Sequence, residues 1–259
     1  MSFTKDLLAH RHIVISGGAG ALGAAIVKGL TSHGARVTVN DVVENHVAIS
    51  RLEQSGIDSE SFRYIRADIT DGPEADRLIA EARSAFGPVH TALCHAGIVI
   101  AKPLLAISQG DWERTMDVNL KAAFLLGKSA ARTMLDDAIA GHLIFTTSWV
   151  SETPWPEIGP YNASKAGMNQ LMRSFARELA PRVRANAIAP GIVGAGMAKI
   201  QWDTDPTYRA RAQRAIPLGV MQTLESVVSA FLFLCSPAAS YMTGSVLVVD
   251  GGCSLYPMD

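Results

Sequence analysis

Two kinds of apolar pattern alternate along the chain. Short continuous runs rich in β-branched residues are typical of strands that are buried on both faces of a parallel sheet. Longer segments, with apolar residues three or four positions apart, are typical of helices that pack one face against such a sheet. The runs that predict strands are 12–16, 35–40, 62–67, 89–94, 142–147, 183–187 and 245–249. The segments that predict helices are one that ends near 33 with Gly34 as its C-cap, then 71–86, 111 to about 138, 161–179 and 225–235.

This alternation predicts a single α/β domain that covers residues 1–259. Strands separated by helices of this length form a parallel sheet with helices on both faces, and right-handed crossovers make the sheet doubly wound. No linker, repeat or change of composition divides the chain. The segment 192–218 departs from the pattern because it is long and irregular, and we predict that it forms a mobile lid over a substrate pocket.

The composition is that of a compact globular chain, since 48% of its 259 residues are hydrophobic and 18% are charged. The formal net charge is −1 and the basic residues are dispersed, so we expect no nucleic acid partner. The first residues lack a signal-peptide pattern, and no apolar run approaches the roughly 18 residues of a membrane span, so we expect no membrane association. The three cysteines are widely spaced and the seven histidines form no metal-ligand pattern. We therefore expect a cytoplasmic protein without disulfides or a bound metal.

A glycine-rich loop directly follows the first predicted strand and opens the first helix. In this βαβ context, Gly17, Gly20 and Gly23 would let the backbone approach the pyrophosphate of a dinucleotide at the helix N-terminus. Asp41 follows the second strand, where a carboxylate accepts hydrogen bonds from the adenosine ribose hydroxyls and repels a 2′-phosphate. No Arg or Lys lies in the glycine loop or just after Asp41. The sequence therefore predicts NAD as the cofactor, in preference to NADP.

A tyrosine and a lysine begin the helix that follows the fifth predicted strand. Ser148 follows that strand, then comes a loop rich in Pro and Gly, and then Tyr161 and Lys165, which are four residues apart. Residues at this spacing lie on one helix face, with β-carbons about 5–6 Å apart. An ammonium beside a phenol favours the phenolate, so we expect the pKa of Tyr161 to lie below its usual value of about 10. Such a tyrosine could exchange a proton near neutral pH.

Together these features resemble the short-chain dehydrogenase/reductase (SDR) family, in its single-domain Rossmann-fold branch, over nearly the whole chain. Seven motifs of that family are present in order and at matching spacing. They are Ser16–Gly23 for the glycine motif, Cys94–Gly97 for Asn-Asn-Ala-Gly, Asn119 for the helical asparagine, Ser148 thirteen residues before the tyrosine, Tyr161 with Lys165, Asn186–Gly191, and Thr243–Gly252.

The resemblance implies hydride transfer between a nicotinamide cofactor and a secondary alcohol or carbonyl. Tyr161 would be the general acid/base, Lys165 would lower its pKa and bind the nicotinamide ribose, and Ser148 would hydrogen-bond the reacting oxygen. Asn119 would hold a water that links Lys165 to solvent. The cofactor-binding residues that the motifs imply are Gly17, Gly20, Ala21, Leu22, Gly23, Asp41, Asp68, Ile69, Ala96, Gly97, Tyr161, Lys165, Pro190, Gly191 and Val193.

The chain departs from the family pattern at three places. Ala21 replaces the middle glycine of the loop and narrows its backbone options. Cys94 and His95 replace the paired asparagines, which puts in doubt the side-chain hydrogen bonds that tie the sheet there. Ala195 stands where the family places a threonine near the nicotinamide carboxamide, so we expect the backbone at Val193 to hold that group.

The loop between Ser148 and Tyr161 is rich in aromatic and acidic residues. Aromatic faces interleaved with carboxylates suit a sugar or polyol, because sugar C–H faces stack on rings while hydroxyls need acceptors. A hydroxysteroid or a ketoacyl group remains an alternative, since loop tryptophans also occur at subunit contacts. The candidate substrate residues are His95, Ser148, Trp149, Glu152, Trp155, Glu157, Met197 and Trp202.

The same residues disfavour other functions known on this fold and bear on the assembly state. A non-catalytic nucleotide-binding protein on this fold would usually lack one of the four catalytic positions, and all four are present. Sugar-nucleotide epimerases need an added C-terminal substrate domain, and enoyl reductases have a wider tyrosine–lysine spacing. The apolar faces of the helices at 111 and 161 would form a large patch on a monomer. The resemblance implies that they pair across a two-fold axis, so we expect a homotetramer, or a homodimer.

Overall fold

The computed structural model describes residues 3–255, and seven of its strands form one sheet. The strands are β1 (His12–Ser16), β2 (Arg36–Asp41), β3 (Phe62–Arg66), β4 (Thr91–Cys94), β5 (Gly141–Thr146), β6 (Val183–Pro190) and β7 (Val246–Val249). Their order in the sheet is β3-β2-β1-β4-β5-β6-β7, and every neighbouring pair is parallel. The predicted doubly wound parallel sheet is confirmed.

Helices connect the strands and cover both faces of the sheet. Those of the described residues are α1 (Ala21–Ser32), α2 (Asn45–Gln54), α3 (Gly72–Phe86), α4 (Gln109–Met116), α5 (Ala122–Asp136), α6 (Gly159–Leu179), α7 (Gly196–Thr204), α8 (Pro206–Ala215) and α9 (Leu224–Cys235). On one face, α1, α2 and α9 bury side chains such as Leu30, Leu52 and Phe231 in one apolar cluster. On the other face, α3, α5 and α6 bury a second cluster that includes Leu126 and Met172.

Two helical regions differ from the predicted pattern. Helix α2 was not predicted, and its apolar signal is weak because only Ala48 and Leu52 are buried. The segment predicted as one helix from 111 to about 138 is interrupted by a π-helical turn at Asp117–Lys121, between α4 and α5. Such turns often lie at functional sites, and this one carries Asn119.

The segment 192–218 is largely helical, so the prediction that it is irregular was wrong. The Asp205 carboxylate accepts hydrogen bonds from the backbone N–H groups of Thr207 (2.8 Å) and Tyr208 (3.1 Å), and thereby caps the N-terminus of α8. A third apolar cluster, which includes Trp149, Trp155 and Ala212, packs α8 against the loop that precedes α6. Helices α7 and α8 therefore pack against the loop that leads into α6.

The glycine loop lies very close to the chain segment after β4. Gly17 has a φ of +68°, and a β-carbon at that position would lie 2.8 Å from the Cα of Ala96. A side chain at residue 17 would therefore suffer both backbone strain and a clash with backbone. This close approach brings the glycine loop and the segment that follows β4 together at one edge of the sheet.

Candidate active site

A long cleft runs across the carboxyl ends of β1, β4, β5 and β6, the edge where ligands bind in open α/β sheets. It consists of three adjoining cavities, which we call the loop cavity (about 890 Å³), the central cavity (about 240 Å³) and the outer cavity (about 430 Å³). The loop and central cavities share Leu22, Gly97 and Val193 in their walls. The central and outer cavities share Ser148 and Tyr161.

All residues predicted to bind the cofactor border the loop cavity or the central cavity. Those in the wall of the loop cavity are Gly17, Gly20, Ala21, Leu22, Gly23, Asp41, Asp68, Ile69, Ala96, Gly97 and Val193. Those in the wall of the central cavity include Tyr161, Lys165, Pro190 and Gly191. Several further residues of the loop cavity were not predicted, namely Asn40, Val42, Thr70, Ile98, Glu113, Arg114, Asp117, Val118 and Gly196. Many of these lie on the segment between β4 and α5, whose position relative to the sheet is set by packing.

The glycine loop fits a pyrophosphate. Gly20 is the N-cap of α1 and provides no side-chain cap, and the first turn of the helix contains no acidic residue. The first N–H groups of a helix have no partner within the helix, and its N-terminus favours an anion. Because Gly20, Ala21 and Leu22 border the loop cavity, this helix end is placed to receive one.

Asp41 is held at the wall of the loop cavity by two backbone groups. Its carboxylate accepts hydrogen bonds from the N–H of Ala19 (3.2 Å) and from the N–H of Val42 (2.8 Å). The nearest basic residue in the sheet register is Arg66, whose guanidinium forms an ion pair with Glu44 (2.8 Å) and donates to the carbonyl of Val42 (3.0 Å). The guanidinium of Arg66 is thus occupied by Glu44 and by the carbonyl of Val42, while Asp41 borders the loop cavity.

The four predicted catalytic residues come together around the central cavity. Lys165 is buried and its Nζ donates to the carbonyl of Thr146 (2.7 Å), at the end of β5. The same Nζ lies 5.5 Å from the centre of the Tyr161 ring. Ser148 and Tyr161 both border the central and the outer cavity.

Asn119 is completely buried beside the central cavity, on the π-helical turn. Its Oδ1 accepts from the N–H of Ile98 (2.8 Å), and its Nδ2 donates to the carbonyl of Ile98 (3.0 Å) and to Ser164 Oγ (3.0 Å). A β-carbon built on Gly97 would lie 3.4 Å from Asn119 Oδ1 and 3.5 Å from Lys165 Nζ. Asn119 therefore holds the segment after β4 in place at Ile98, and its Oδ1 keeps one lone pair as an acceptor near Lys165.

The pKa of Tyr161 does not shift in the predicted direction. Burial penalises the phenolate and raises the pKa of Tyr161 above its usual value, although the hydrogen bond with Ser148 acts to lower it. Burial also lowers the pKa of Lys165 to about 8. The Nζ of Lys165 donates to the carbonyl of Thr146. Its charge does not offset the effect of burial on the pKa of Tyr161.

The residues that replace the paired asparagines form other ties. The Sγ of Cys94 donates to the carbonyl of Ala123 (3.5 Å), and His95 Nδ1 lies 3.0 Å from Thr146 Oγ1. Ser16 Oγ accepts from the backbone N–H groups of His95 (3.0 Å) and Ala96 (3.1 Å). Burial lowers the pKa of His95 to about 3, so its imidazole is neutral at physiological pH. The strand ends of β1, β4 and β5 are therefore connected without the asparagine side chains.

Five of the eight candidate substrate residues border the outer cavity, and three do not. Those in its wall are Ser148, Trp149, Trp155, Glu157 and Met197. Glu152 is exposed and lies outside the cavity, where its carboxylate accepts from Asn169 Nδ2 (3.4 Å). Trp202 packs against the third apolar cluster, and His95 borders the loop and central cavities. A loop sequence does not reveal which of its side chains face inward.

Helices α7 and α8 contribute further residues to the outer cavity. Tyr208 and Arg211 are three residues apart on α8, and both lie against Trp155, whose ring centre is 5.9 Å from the Tyr208 ring and 5.9 Å from the Arg211 guanidinium carbon. Helical spacing within 206–215 would have identified this pair if the segment had been predicted as a helix. The other wall residues that were not predicted are Val99, Ala101, Val150, Pro156, Ile158, Ile192, Ala195, Ala198, Gln201, Asp205 and Thr207.

Residues 3–255 contain neither a membrane-spanning helix nor a cluster of metal ligands. No helix there is long and apolar enough to cross a membrane. No group of three or more His, Cys, Asp or Glu side chains in that range could hold a metal ion.

Comparison with known proteins gives matches over nearly the whole chain. Residues 17–254 match the family model described as Enoyl-(Acyl carrier protein) reductase. The chain is 34% identical over 256 residues to 3beta-hydroxysteroid dehydrogenase 1 of Eggerthella lenta, with 97% of each chain covered. It is 33% identical to cis-4-hydroxycyclohexanecarboxylate dehydrogenase of Sinomonas cyclohexanicum, over 95% of this chain and 98% of that one. It is 29% identical to glucose 1-dehydrogenase of Gluconobacter oxydans, over 97% and 95%.

A solved structure has the same fold. The crystal structure of a short-chain type dehydrogenase/reductase from Mycobacterium marinum superposes with a TM-score of 0.89 at 28% identity, covering 97% of this chain and 99% of that one.

Proposed function

Because the chain belongs to the short-chain dehydrogenase/reductase family of oxidoreductases, which act on alcohols and carbonyls with a nicotinamide cofactor, we propose that it is an NAD-dependent dehydrogenase of a cyclic secondary alcohol with a largely apolar ring system. The observation that carries the proposal is the outer cavity. Ser148 and Tyr161 stand where it meets the central cavity, and its walls combine apolar side chains, such as Val99 and Met197, with polar ones, such as Gln201. Ligand sites of this size are mostly apolar with a few polar groups that fix orientation.

The cofactor would lie along the loop and central cavities. The N-terminus of α1 would hold the pyrophosphate, Asp41 the adenosine ribose, and Lys165 the nicotinamide ribose. The bound cofactor supplies the hydride chemistry. NAD is proposed over NADP because Asp41 presents a negative charge where the 2′-phosphate would lie, and the neighbouring Arg66 is paired with Glu44. The backbone at Val193 and the methyl group of Ala195, both at the cavity wall, would meet the carboxamide end.

The protein's own groups handle the proton. Tyr161 is proposed as the general acid/base that takes the hydroxyl proton of an alcohol or gives a proton to a carbonyl, with Ser148 bound to the same oxygen. Burial keeps the phenol protonated at neutral pH, so this geometry is prepared for donation to a carbonyl. A water beside Gly97, between Asn119 Oδ1 and Lys165 Nζ, would connect the lysine to solvent. A positioned general acid/base such as Tyr161 contributes about 10²–10⁴-fold to the rate.

The relatives support an alicyclic alcohol as the substrate. Two of them are named for a hydroxysteroid and a hydroxycyclohexane compound, and both of these are rings that carry a secondary hydroxyl. A sugar or polyol is the second candidate. Trp149, Trp155 and Glu157 favour it because they place aromatic rings and a carboxylate at one cavity, and one relative is named for glucose. Glu152, the other carboxylate on which the sugar prediction depended, lies outside that cavity.

A substrate panel tests this proposal. Initial rates at 340 nm would be measured with NAD and with NADP for cyclohexanols, 3-hydroxysteroids, aldoses and polyols. We expect NAD to be preferred and the alicyclic alcohols to have the highest kcat/KM. Activity confined to aldoses or polyols would reject the apolar ring and favour the second candidate. Cofactor binding without turnover of any alcohol or carbonyl would instead indicate a non-catalytic nucleotide-binding protein.

Location and assembly are also proposals. Cys94, Cys235 and Cys253 are buried free thiols, which supports a cytoplasmic, reducing environment. Phe124 on α5 is 40% exposed beside an apolar groove between the π-helical turn and α6. We propose that this face pairs with a second copy in a homotetramer, or in a homodimer. Light scattering that gives a monomeric mass would contradict it.

A further inference from the structure

Arg211 places a positive charge in the wall of the outer cavity. It is half-buried on α8, and its guanidinium carbon lies over the face of Trp155, 5.9 Å from the ring centre. Among residues 3–255, no carboxylate lies within the 4.0 Å of an ion pair with it. The stacked aromatic face restrains the side chain but does not neutralise its charge.

The charged side chains that the structure describes near Arg211 form no ion pair with it. Arg209, two residues earlier, donates from Nε to the carbonyl of Trp202 (2.7 Å) and from an Nη to the carbonyl of Asp203 (3.0 Å). Asp205 borders the same cavity, but its carboxylate accepts two N–H groups at the start of α8. Glu157 is exposed and lies on the loop before α6. Arg211 is thus a cation of the cavity wall that its own chain leaves available to a ligand.

We propose that the substrate is a cyclic alcohol that carries a carboxylate remote from the reacting hydroxyl, and that Arg211 binds this carboxylate. This inference rests on the proposed function and deepens it. A guanidinium matches a carboxylate with two parallel hydrogen bonds, and a half-buried site strengthens them. Trp149, which directly follows Ser148 in the chain, meets Trp155 edge to face at 5.6 Å, and Trp155 in turn lies against Arg211. The wall of the cavity thus carries the Ser148–Tyr161 pair, two aromatic rings and the Arg211 cation.

The test compares each acid with its amide, because an amide keeps the size of a carboxylate and removes its charge. One short pair is 4-hydroxycyclohexanecarboxylate and its carboxamide. One long pair is a 3-hydroxysteroid with a carboxylated side chain and the corresponding amide. For at least one pair, we expect the wild-type enzyme to show a kcat/KM for the acid that is about 10- to 100-fold higher than for the amide.

Variants at two arginines of α8 identify which side chain causes the preference for the acid over the amide. Arg211→Gln should bring the acid-to-amide ratio close to one, and Arg211→Lys should restore part of it because the charge returns without the planar fork. Arg214→Gln is the matched control, since Arg214 is exposed on the same helix and outside the cavity wall; its ratio should equal that of the wild type. Equal wild-type rates for acid and amide in both pairs, or an unchanged ratio in Arg211→Gln, would overturn the proposal.

A binding measurement separates this inference from the proposed function. Quenching of tryptophan fluorescence by each acid and amide reports binding next to Trp155 without turnover. If no alcohol is oxidised but the acid binds more tightly than the amide, and Arg211→Gln removes the difference, the carboxylate site stands and the proposed reaction fails. If alcohols are oxidised but acids and amides bind and react alike, the reaction stands and the role of Arg211 is rejected.

Discussion

Replacing Asp41 by asparagine removes a negative charge from the wall of the loop cavity and changes the size of the side chain very little. The native carboxylate accepts the N–H groups of Ala19 and Val42, and each oxygen has lone pairs left for a ribose hydroxyl. Asparagine has a single acceptor oxygen, so at least one charge-assisted hydrogen bond to the ribose is lost. Hydrogen bonds to charged groups contribute about 1.5–3 kcal/mol, which corresponds to a roughly 10- to 100-fold lower kcat/KM for NAD.

The same substitution should improve the use of NADP. The carboxylate charge no longer repels a 2′-phosphate, so the NAD-to-NADP ratio of kcat/KM should fall by about 100-fold in total. The assay is steady-state kinetics with both cofactors at one fixed alcohol concentration. Asp58→Asn is the matched control, because Asp58 accepts the N–H of Glu60 (3.2 Å) on a surface turn away from the cleft. An unchanged ratio in Asp41→Asn, or a wild-type preference for NADP, would refute the role of Asp41.

Three further predictions concern the central cavity and the core. Tyr161→Phe should lower kcat by about 10²–10⁴-fold, while the thermal shift produced by NAD stays close to that of the wild type; full activity would exclude Tyr161 as the acid/base. Lys165→Met should be more stable than the wild type at pH 7, with a difference that shrinks as the pH rises from about 8 to about 10.5. The reason is that the buried lysine has a pKa of about 8 when folded and about 10.4 when unfolded, so between these values the unfolded wild-type chain binds more protons; urea unfolding at several pH values measures it, and a constant difference would contradict it. Phe145→Ala should cost about 3–5 kcal/mol of unfolding free energy, because Phe145 is fully buried and stacks on Phe175 with ring centres 5.7 Å apart; a loss below 1 kcal/mol in urea unfolding would refute this packing role.

The sequence by itself determined the strands, the glycine loop and the tyrosine–lysine pair. A continuous β-branched run predicts a buried strand, and a spacing of four on a helix puts Tyr161 and Lys165 on one face, because both are properties of a single element. The edge at which the cleft lies also follows from a parallel sheet, because the carboxyl ends of β1, β4, β5 and β6 must meet there. All residues predicted to bind the cofactor border that cleft.

Only the tertiary structure decided which side chains border the outer cavity and in which direction the pKa of Tyr161 shifts. Arg211 and Tyr208 border the outer cavity because α8 packs onto the loop that contains Trp155, a contact between segments about fifty residues apart. Glu152 lies on that same loop and is directed elsewhere. The pKa of Tyr161 is raised because burial, which depends on every neighbouring element, outweighs the hydrogen bond from Ser148. Spacing along the chain fixes which residues share an element, whereas exposure, charge pairing and desolvation are decided by how the elements pack against one another.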